Sequence, residues 1–422
     1  MMINISEAKI SATRIMSRCD ELAKITCATS GITRVYLSKE HLIVNQLVGK
    51  WMKEAGMSVW QDAVGNICGR YDSNIIDTPA VILGSHLDTV KNAGRYDGIL
   101  GVLSAIEIVY WMNKKHIVLK LAIEVIGFCD EEGTRFGITL LGSRGITGTW
   151  ERKWLNYTDN NGITIHQAMI NFGLHSNNIK NAARNIKDIV AYIELHIEQG
   201  PCLEKENLSL GVVNSINAAS RFNCRFIGES GHAGTVPMSY RKDALTAFAE
   251  WIIFLEYTTV KQYPQLVATV GTVICKPGTT NVIPGTVDFS LDIRGPQDIL
   301  IESLSSIVFE KAKQIAKCRN LFFEYKEFYK TSETICDINL QKVLCYAVKK
   351  VQGSNLLLSS GAGHDAVAIS KCWPVGMLFI RNYRGISHHP KELVNINDII
   401  LALQAYSESV CKFIEIKTNN LM

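Results

Sequence analysis

The sequence predicts an α/β protein: a mostly parallel sheet flanked by helices, into which a smaller α+β domain is inserted. Three observations lead there. Helical and strand periodicities alternate through the first half of the chain, which favours a parallel sheet covered by helices. Residues 219–330 then follow the order βαββαβ, a split-βαβ, ferredoxin-like arrangement that is complete in itself. After residue 335 the alternation returns. The outer segments, 1–217 and 334–422, are therefore read as one domain, and 218–333 as an insertion of about 110 residues, a common domain size.

Taken in order, residues 5–60 show apolar positions at three- and four-residue intervals (Ile15, Leu22, Ile25; Leu42, Ile43, Leu47, Val48, Trp51, Met52), as amphipathic helices require. Short alternating segments from Ser58 to Arg70 read as strands, with a turn at Gly65. A buried strand follows at 80–84, then a loop, a helix at 98–113 and a strand at 119–128. Residues 150–190 are polar and Asn-rich, suiting surface loops and a short helix. An apolar strand runs from Ile189 to Leu195 and ends in His196 and a Gly-Pro stop. Inside the insertion, strands are expected at 221–228, 266–275, 286–294 and 320–328, with helices at 242–258 and 297–317. The last segment reads as helix 339–351, strand 355–358, a glycine-rich loop, a helix ending near Ser370, strand 374–380, a loop and helix 396–415.

Composition narrows the function classes. The chain has 422 residues, 47% of them hydrophobic and 20% charged, with a net charge of +4 and no Lys/Arg block. Nothing in that balance favours nucleic acid or an anionic membrane surface. The start lacks a basic region followed by an apolar stretch, and no apolar run reaches the roughly 18 residues a spanning helix needs. The 12 cysteines are scattered without a CxxC pair. Reduced thiols and a cytoplasmic location are the expectation. No GxGxxG follows the first strand of the sheet, which argues against a dinucleotide site.

The chemistry is concentrated at strand ends. His86 and Asp88 follow the first buried strand, and Asp97 comes next, between Gly94 and Gly98. Asp130, Glu131 and Glu132 follow the strand ending at Phe128. His196 closes a later strand, and His388 and His389 lie in the loop after the last one. In an open α/β sheet, ligands collect beyond the carboxyl ends of the strands. Imidazole with carboxylate and no thiolate suits zinc, manganese, cobalt or nickel. A carboxylate such as Asp97 can bridge two ions, and adjacent Glu131 and Glu132 can point differently, one binding metal and the other free for proton transfer. Read singly, each has a plain structural alternative: a capped helix start at Asp97, a solvated loop at Asp130–Glu132.

The runs GSHLDTV, GRYDGILGV, DEEGTRFG, ELHIEQGP, GHAGTVPM, NVIPG, DIRG, SGAGHDA and GISHHP occur in order from about residue 80 to residue 392. With them the chain resembles the binuclear-metal M20 amidohydrolases, in the branch of allantoate amidohydrolases and N-carbamoyl-L-amino-acid hydrolases. The resemblance implies a zinc-peptidase-like catalytic domain, two divalent ions per subunit, and an inserted domain acting as lid and dimerisation element. It implies His86, Asp97 (bridging), Glu132, His196 and His388 as metal ligands, Glu131 as general base and Asp88 as the carboxylate beside the metal-binding histidine. It further implies substrate contacts from Gln199, Asn281, Arg294 and the Gly361–Gly363 turn, and oxyanion stabilisation by His232, which in family members is thought to come from the partner subunit. The Arg fork of Arg294 suits a carboxylate, and the Asn281 amide can both donate to and accept from a ureido group.

The reaction so implied is hydrolysis of a ureido or carbamoyl C–N bond in a small acid, with ammonia and carbon dioxide released. Allantoate is slightly favoured over N-carbamoyl amino acids, because HAGTVPM with GISHHP resembles the allantoate members. Arg95, Tyr96 and the Arg381–Arg384 stretch lie near the expected site and bear on specificity. Hinges are expected at 215–220 and 330–335, and a homodimer through the insertion. Two other readings stand: an aminoacylase or peptidase of the same superfamily, and a non-catalytic binding protein that has lost its metal.

Overall fold

The computed structural model describes residues 1–419. In chain order its strands are β1 (Ser58–Gln61), β2 (Ile67–Tyr71), β3 (Ala80–His86), β4 (Ala122–Phe128), β5 (Ile189–Ile197) and β6 (Leu210–Ile216). Next come β7 (Ala218–Ile227), β8 (Val267–Thr269), β9 (Val273–Lys276), β10 (Thr286–Gly295) and β11 (Phe322–Thr331). Last are β12 (Thr334–Ile335), β13 (Leu357–Ser360) and β14 (Val375–Ile380). The chain divides into two compact units, one of Met1–Asn214 with Cys336–Met422 and one of Ser215–Ile335.

The first unit is built on a sheet of order β1-β2-β4-β3-β5-β14-β6, with β13 also pairing β6; β12, within the second unit, pairs the last two residues of β6. Its four central strands are parallel and its margins antiparallel. Strands β3 and β4 are buried at every position. Strands covered on both faces read in this way, as unbroken apolar runs. Helix Ile99–Lys114 is apolar almost all round for the same reason, and packs with Ile5–Ala23 and Ile396–Asn419 into one core. The N-terminal helices start where a side chain replaces a missing backbone acceptor: Asn4 takes the Glu7 N–H and Ser38 the His41 N–H.

In the inserted unit the sheet order is β11-β7-β10-β8, with β9 also on β10 and the pairs antiparallel. This is the split-βαβ order. Alternate residues of β10 (Val287, Phe289, Leu291, Ile293) point into a core made with helices Ala244–Gln262 and Asp298–Cys318. Trp251 is fully buried there and donates its Nε1–H to the Val308 carbonyl at 2.8 Å.

Three local expectations are corrected. The strand expected at 266–275 is two short ones, β8 and β9, each pairing a different part of β10. Strand β6 was not foreseen: its apolar run LGVVNSI follows a short helix at Cys202–Lys205 and sits antiparallel against β14. His196 lies inside β5, which runs one residue further.

Candidate metal centre and active site

Side chains from distant parts of the first unit meet at the carboxyl ends of the parallel strands. His86 is the last residue of β3, and His196 is near the end of β5 beside it. Their Nε2 atoms are 3.5 Å apart, and lie 3.9 and 3.3 Å from Asp97 Oδ1. The other Asp97 oxygen, Oδ2, is 3.1 Å from His388 Nε2, which is 3.3 Å from Glu132 Oε1. Two triads therefore share the Asp97 carboxylate: His86–Asp97–His196 and Asp97–Glu132–His388. Glu131 forms a third group with His86 and Glu132, with candidate ligand atoms again within 4.8 Å of one another.

The local backbone is shaped to deliver these groups. Gly98 adopts φ +70°, and a methyl group on it would stand 2.5 Å from the His86 ring. Only glycine meets both demands. Asp130, Gln199 and His388 are all held at positive φ (57°, 59° and 54°) although none is glycine. Such conformations persist where the surroundings over-determine them, and they cluster at functional sites.

The second ring nitrogens of the histidines are also committed. His86 Nδ1 lies 3.0 Å from the Asp88 carbonyl oxygen, and His196 Nδ1 lies 2.9 Å from that of Ile197. With Nδ1 at these carbonyls, Nε2 is the ring atom that each histidine turns toward Asp97. The Asp88 carboxylate is occupied elsewhere: Oδ1 is 3.8 Å from His86 Nδ1, and its oxygens accept the backbone N–H groups of Glu131 and Glu132 at 3.0 and 3.1 Å. It therefore holds the loop of the two glutamates more closely than it holds the histidine.

Electrostatically the cluster calls for positive charge. Burial, then Glu132, Asp365 and Asp88, push the Glu131 carboxyl well above the ordinary range. Hydrogen bonds donated to Asp97 and Glu132 raise His388 to about 10. Burial opposes the charge on His86, yet Asp88 and Asp97 raise it to about 9. Burial lowers His196. Burial works against ionisation of Asp97 too, but the His388 hydrogen bond and the His196 and His86 charges hold it below the usual range. Buried carboxylates that keep protons on neighbouring imidazoles, with three imidazole nitrogens converging on a shared carboxylate, make a donor set that fits divalent cations.

Other expected residues fall as follows. Gln199 points its amide Nε2 at both Asp97 oxygens (3.1 and 3.2 Å) and at Ser387 Oγ (3.2 Å). The Gly361–Gly363 turn adjoins the site, since a methyl group on Gly363 would lie 3.6 Å from Glu131 Oε1. His389 accepts the Lys391 N–H through Nδ1 and belongs to none of the donor groups among the described residues. In the inserted unit, His232 and Asn281 lie on adjoining segments: His232 bridges Val282, and the Ala233 N–H donates to the Asn281 carbonyl at 3.0 Å. Arg294, at the end of β10, donates to both Asp292 oxygens at 3.1 Å.

The chain matches peptidase family M20/M25/M40 over residues 82–412. It belongs to that family. Within it, the chain is 40% identical to the N-carbamoyl-L-amino-acid amidohydrolase of Pseudomonas sp. (strain NS671), covering 96% of this chain and 99% of that one. It is 38% identical to allantoate deiminase 1 of Glycine max, over 91% and 86% of the two chains. A crystal structure of a hydantoinase/carbamoylase family amidase from Burkholderia multivorans superposes with a TM-score of 0.89 at 29% identity, covering 95% and 97%. The M20 match begins inside β3 and ends inside the last helix, so it takes in every donor of the cluster.

Sequence reasoning missed several groups that adjoin this donor cluster. Glu392 accepts the N–H groups of Tyr96 and Asp97, and Ser387 bonds both Glu392 and Asp97. Asn382 accepts the Gln199 N–H and donates to the Ile386 carbonyl. The His364 ring packs edge-on against His196 at 4.5 Å, held through Nε2 by Ser360. The signal for Glu392 was its place four residues after His388 in the same loop.

Proposed function

We propose that this chain is a metal-dependent amidohydrolase that cleaves the ureido or carbamoyl C–N bond of allantoate or an N-carbamoyl-L-amino acid. The observation that carries the reading is the sharing of Asp97 between two donor triads, with buried Glu131 beside them. Two divalent ions per subunit fit this arrangement. His86, Asp97 and His196 would hold one, and Asp97, Glu132 and His388 the other. Zinc or manganese is expected, and the donor set also admits cobalt or nickel. Bound ions of this kind supply Lewis acidity and bring the pKa of water down toward about 7.

The protein's own groups do the rest. Glu131 takes a proton from the attacking water and returns it to the departing nitrogen. Asp88 fixes the direction of Glu131 through its backbone amide. Gln199 and the Gly361–Gly363 turn contact the substrate. The roles of His232 (oxyanion), Asn281 (ureido group) and Arg294 (carboxylate) rest on the family pattern alone. An N-carbamoyl acid would then give the amino acid, carbon dioxide and ammonia. The reading also includes a homodimer formed through the inserted unit and a cytoplasmic location. Among the described residues no helix is long and apolar enough to cross a membrane.

The deciding experiment measures ammonia release from allantoate and from a panel of N-carbamoyl-L-amino acids, against amine release from N-acyl amino acids and dipeptides. The protein is tested as purified, after chelation, and after zinc or manganese is restored. Ammonia release that vanishes on chelation and returns with metal is the expected result. Cleavage confined to acyl amides would make the chain an aminoacylase or peptidase instead.

A further inference from the structure

We propose that Glu392 is a positioning residue that fastens the loop carrying Asp97 to the loop carrying His388, and so sets the spacing of the cation-binding groups. Glu392 Oε1 accepts the backbone N–H of Tyr96 at 2.7 Å and of Asp97 at 3.1 Å. Its Oε2 accepts the Ser387 hydroxyl at 3.0 Å, and that hydroxyl is 3.2 Å from Asp97 Oδ2. The Glu392 N–H in turn donates to the His389 carbonyl at 3.0 Å, closing the turn that presents His388. One carboxylate, 3% exposed, thus receives donors from both loops that meet over Asp97.

The sequence leaves room for it. Gly94 lies against this side chain: a methyl group there would stand 2.3 Å from Glu392 Cβ and 2.5 Å from Oε1. The glycine three residues before Asp97 is thus the space in which the carboxylate sits. Without Glu392, the amides of Tyr96 and Asp97 lose their acceptor in a buried place, where an unpaired N–H is costly. The bridging carboxylate and the His388 imidazole would then no longer be held in register. Groups that orient ligands typically change metal affinity by about 10–100-fold when removed.

This inference rests on the two-ion reading above, and its test separates the two. Ions per chain are measured by elemental analysis after equilibration against graded zinc buffers, for the wild type, Glu392→Ala, Glu392→Gln and Gly94→Ala. Melting of the chelated proteins is followed alongside. The expected result is two ions on the wild type, with at least one bound about 10–100-fold more weakly in Glu392→Ala and Gly94→Ala. Glu392→Gln, which keeps an acceptor for both amides, should recover most of that affinity and, chelated, melt near the wild type; the chelated alanine variants should melt lower but stay folded at the temperature of the binding measurement. A wild type that binds no ion would sink the two-ion reading. With a wild type that binds two, unchanged affinities in the alanine variants overturn the role of Glu392. So does a glutamine variant as weak as the alanine one, or a loss seen only where the chelated variant is already unfolded.

Discussion

The Asp88 carboxylate accepts the backbone N–H of Glu131 at 3.0 Å, while its nearer oxygen stays 3.8 Å from the His86 ring nitrogen. The glutamate assigned to proton transfer is therefore aimed through its main chain by a residue two positions beyond the first histidine. In Asp88→Asn, one of the two acceptor positions becomes an NH2 group facing an N–H donor. We expect kcat to fall by about 10–100-fold with a smaller change in KM. Steady-state kinetics on the best substrate of the panel give the answer, and an unaltered kcat would remove Asp88 from the machinery.

His41 makes stability depend on pH away from the metal centre. It is buried against the Phe172 ring at 4.7 Å, and Nδ1 accepts the Leu37 N–H. Burial, with the charge of Arg34, lowers its pKa from 6.5 to about 3. The unfolded chain therefore takes up the proton first on acidification. The contribution is whole above about pH 6.5 and is lost as the pH falls toward 3, reaching about 2 kcal/mol by pH 5. Denaturant midpoints of the chelated protein at pH 7 and pH 5 should differ less for His41→Gln than for the wild type. Equal differences would dismiss the role.

Glu107 is fully buried within helix Ile99–Lys114 and neutralises two arginines of the first helix. It accepts Nε and Nη2 of Arg14 at 2.7 Å each and Nη1 of Arg18 at 3.0 Å. Arg18 also lies over the Trp51 ring at 4.7 Å. Removing one partner of a buried ion pair is expensive because the other stays desolvated. Glu107→Ala should cost about 3–5 kcal/mol in chemical denaturation. A change below about 1 kcal/mol would mean that the arginines find water instead.

The parallel core and its donors were legible because buried strands leave unbroken apolar runs and the donors sit where those runs stop, as at His86 and Glu131–Glu132. What could not be read was the direction of side chains. Asp88 lies beside His86, at 3.8 Å, but sequence gives proximity without angle and could not show that its oxygens also hold the amides of Glu131 and Glu132. Glu392 was passed over because two of its partners are backbone groups nearly 300 residues away, and any residue but proline supplies an N–H. Strand β6, seven residues long, escaped notice because it pairs with strands from the far side of the insertion.

The central sheet is closed by β14, which pairs in parallel with β5, Tyr192 opposite Val375. Everything between those residues, the inserted unit included, is synthesised before that partner exists. Until then β5 presents one unpaired side of a nine-residue strand that is buried almost throughout in the finished protein. Such an edge is a template for pairing with other chains. Chains that end before Val375 thus carry an exposed strand edge, and truncations that remove β14 should aggregate where the whole chain does not.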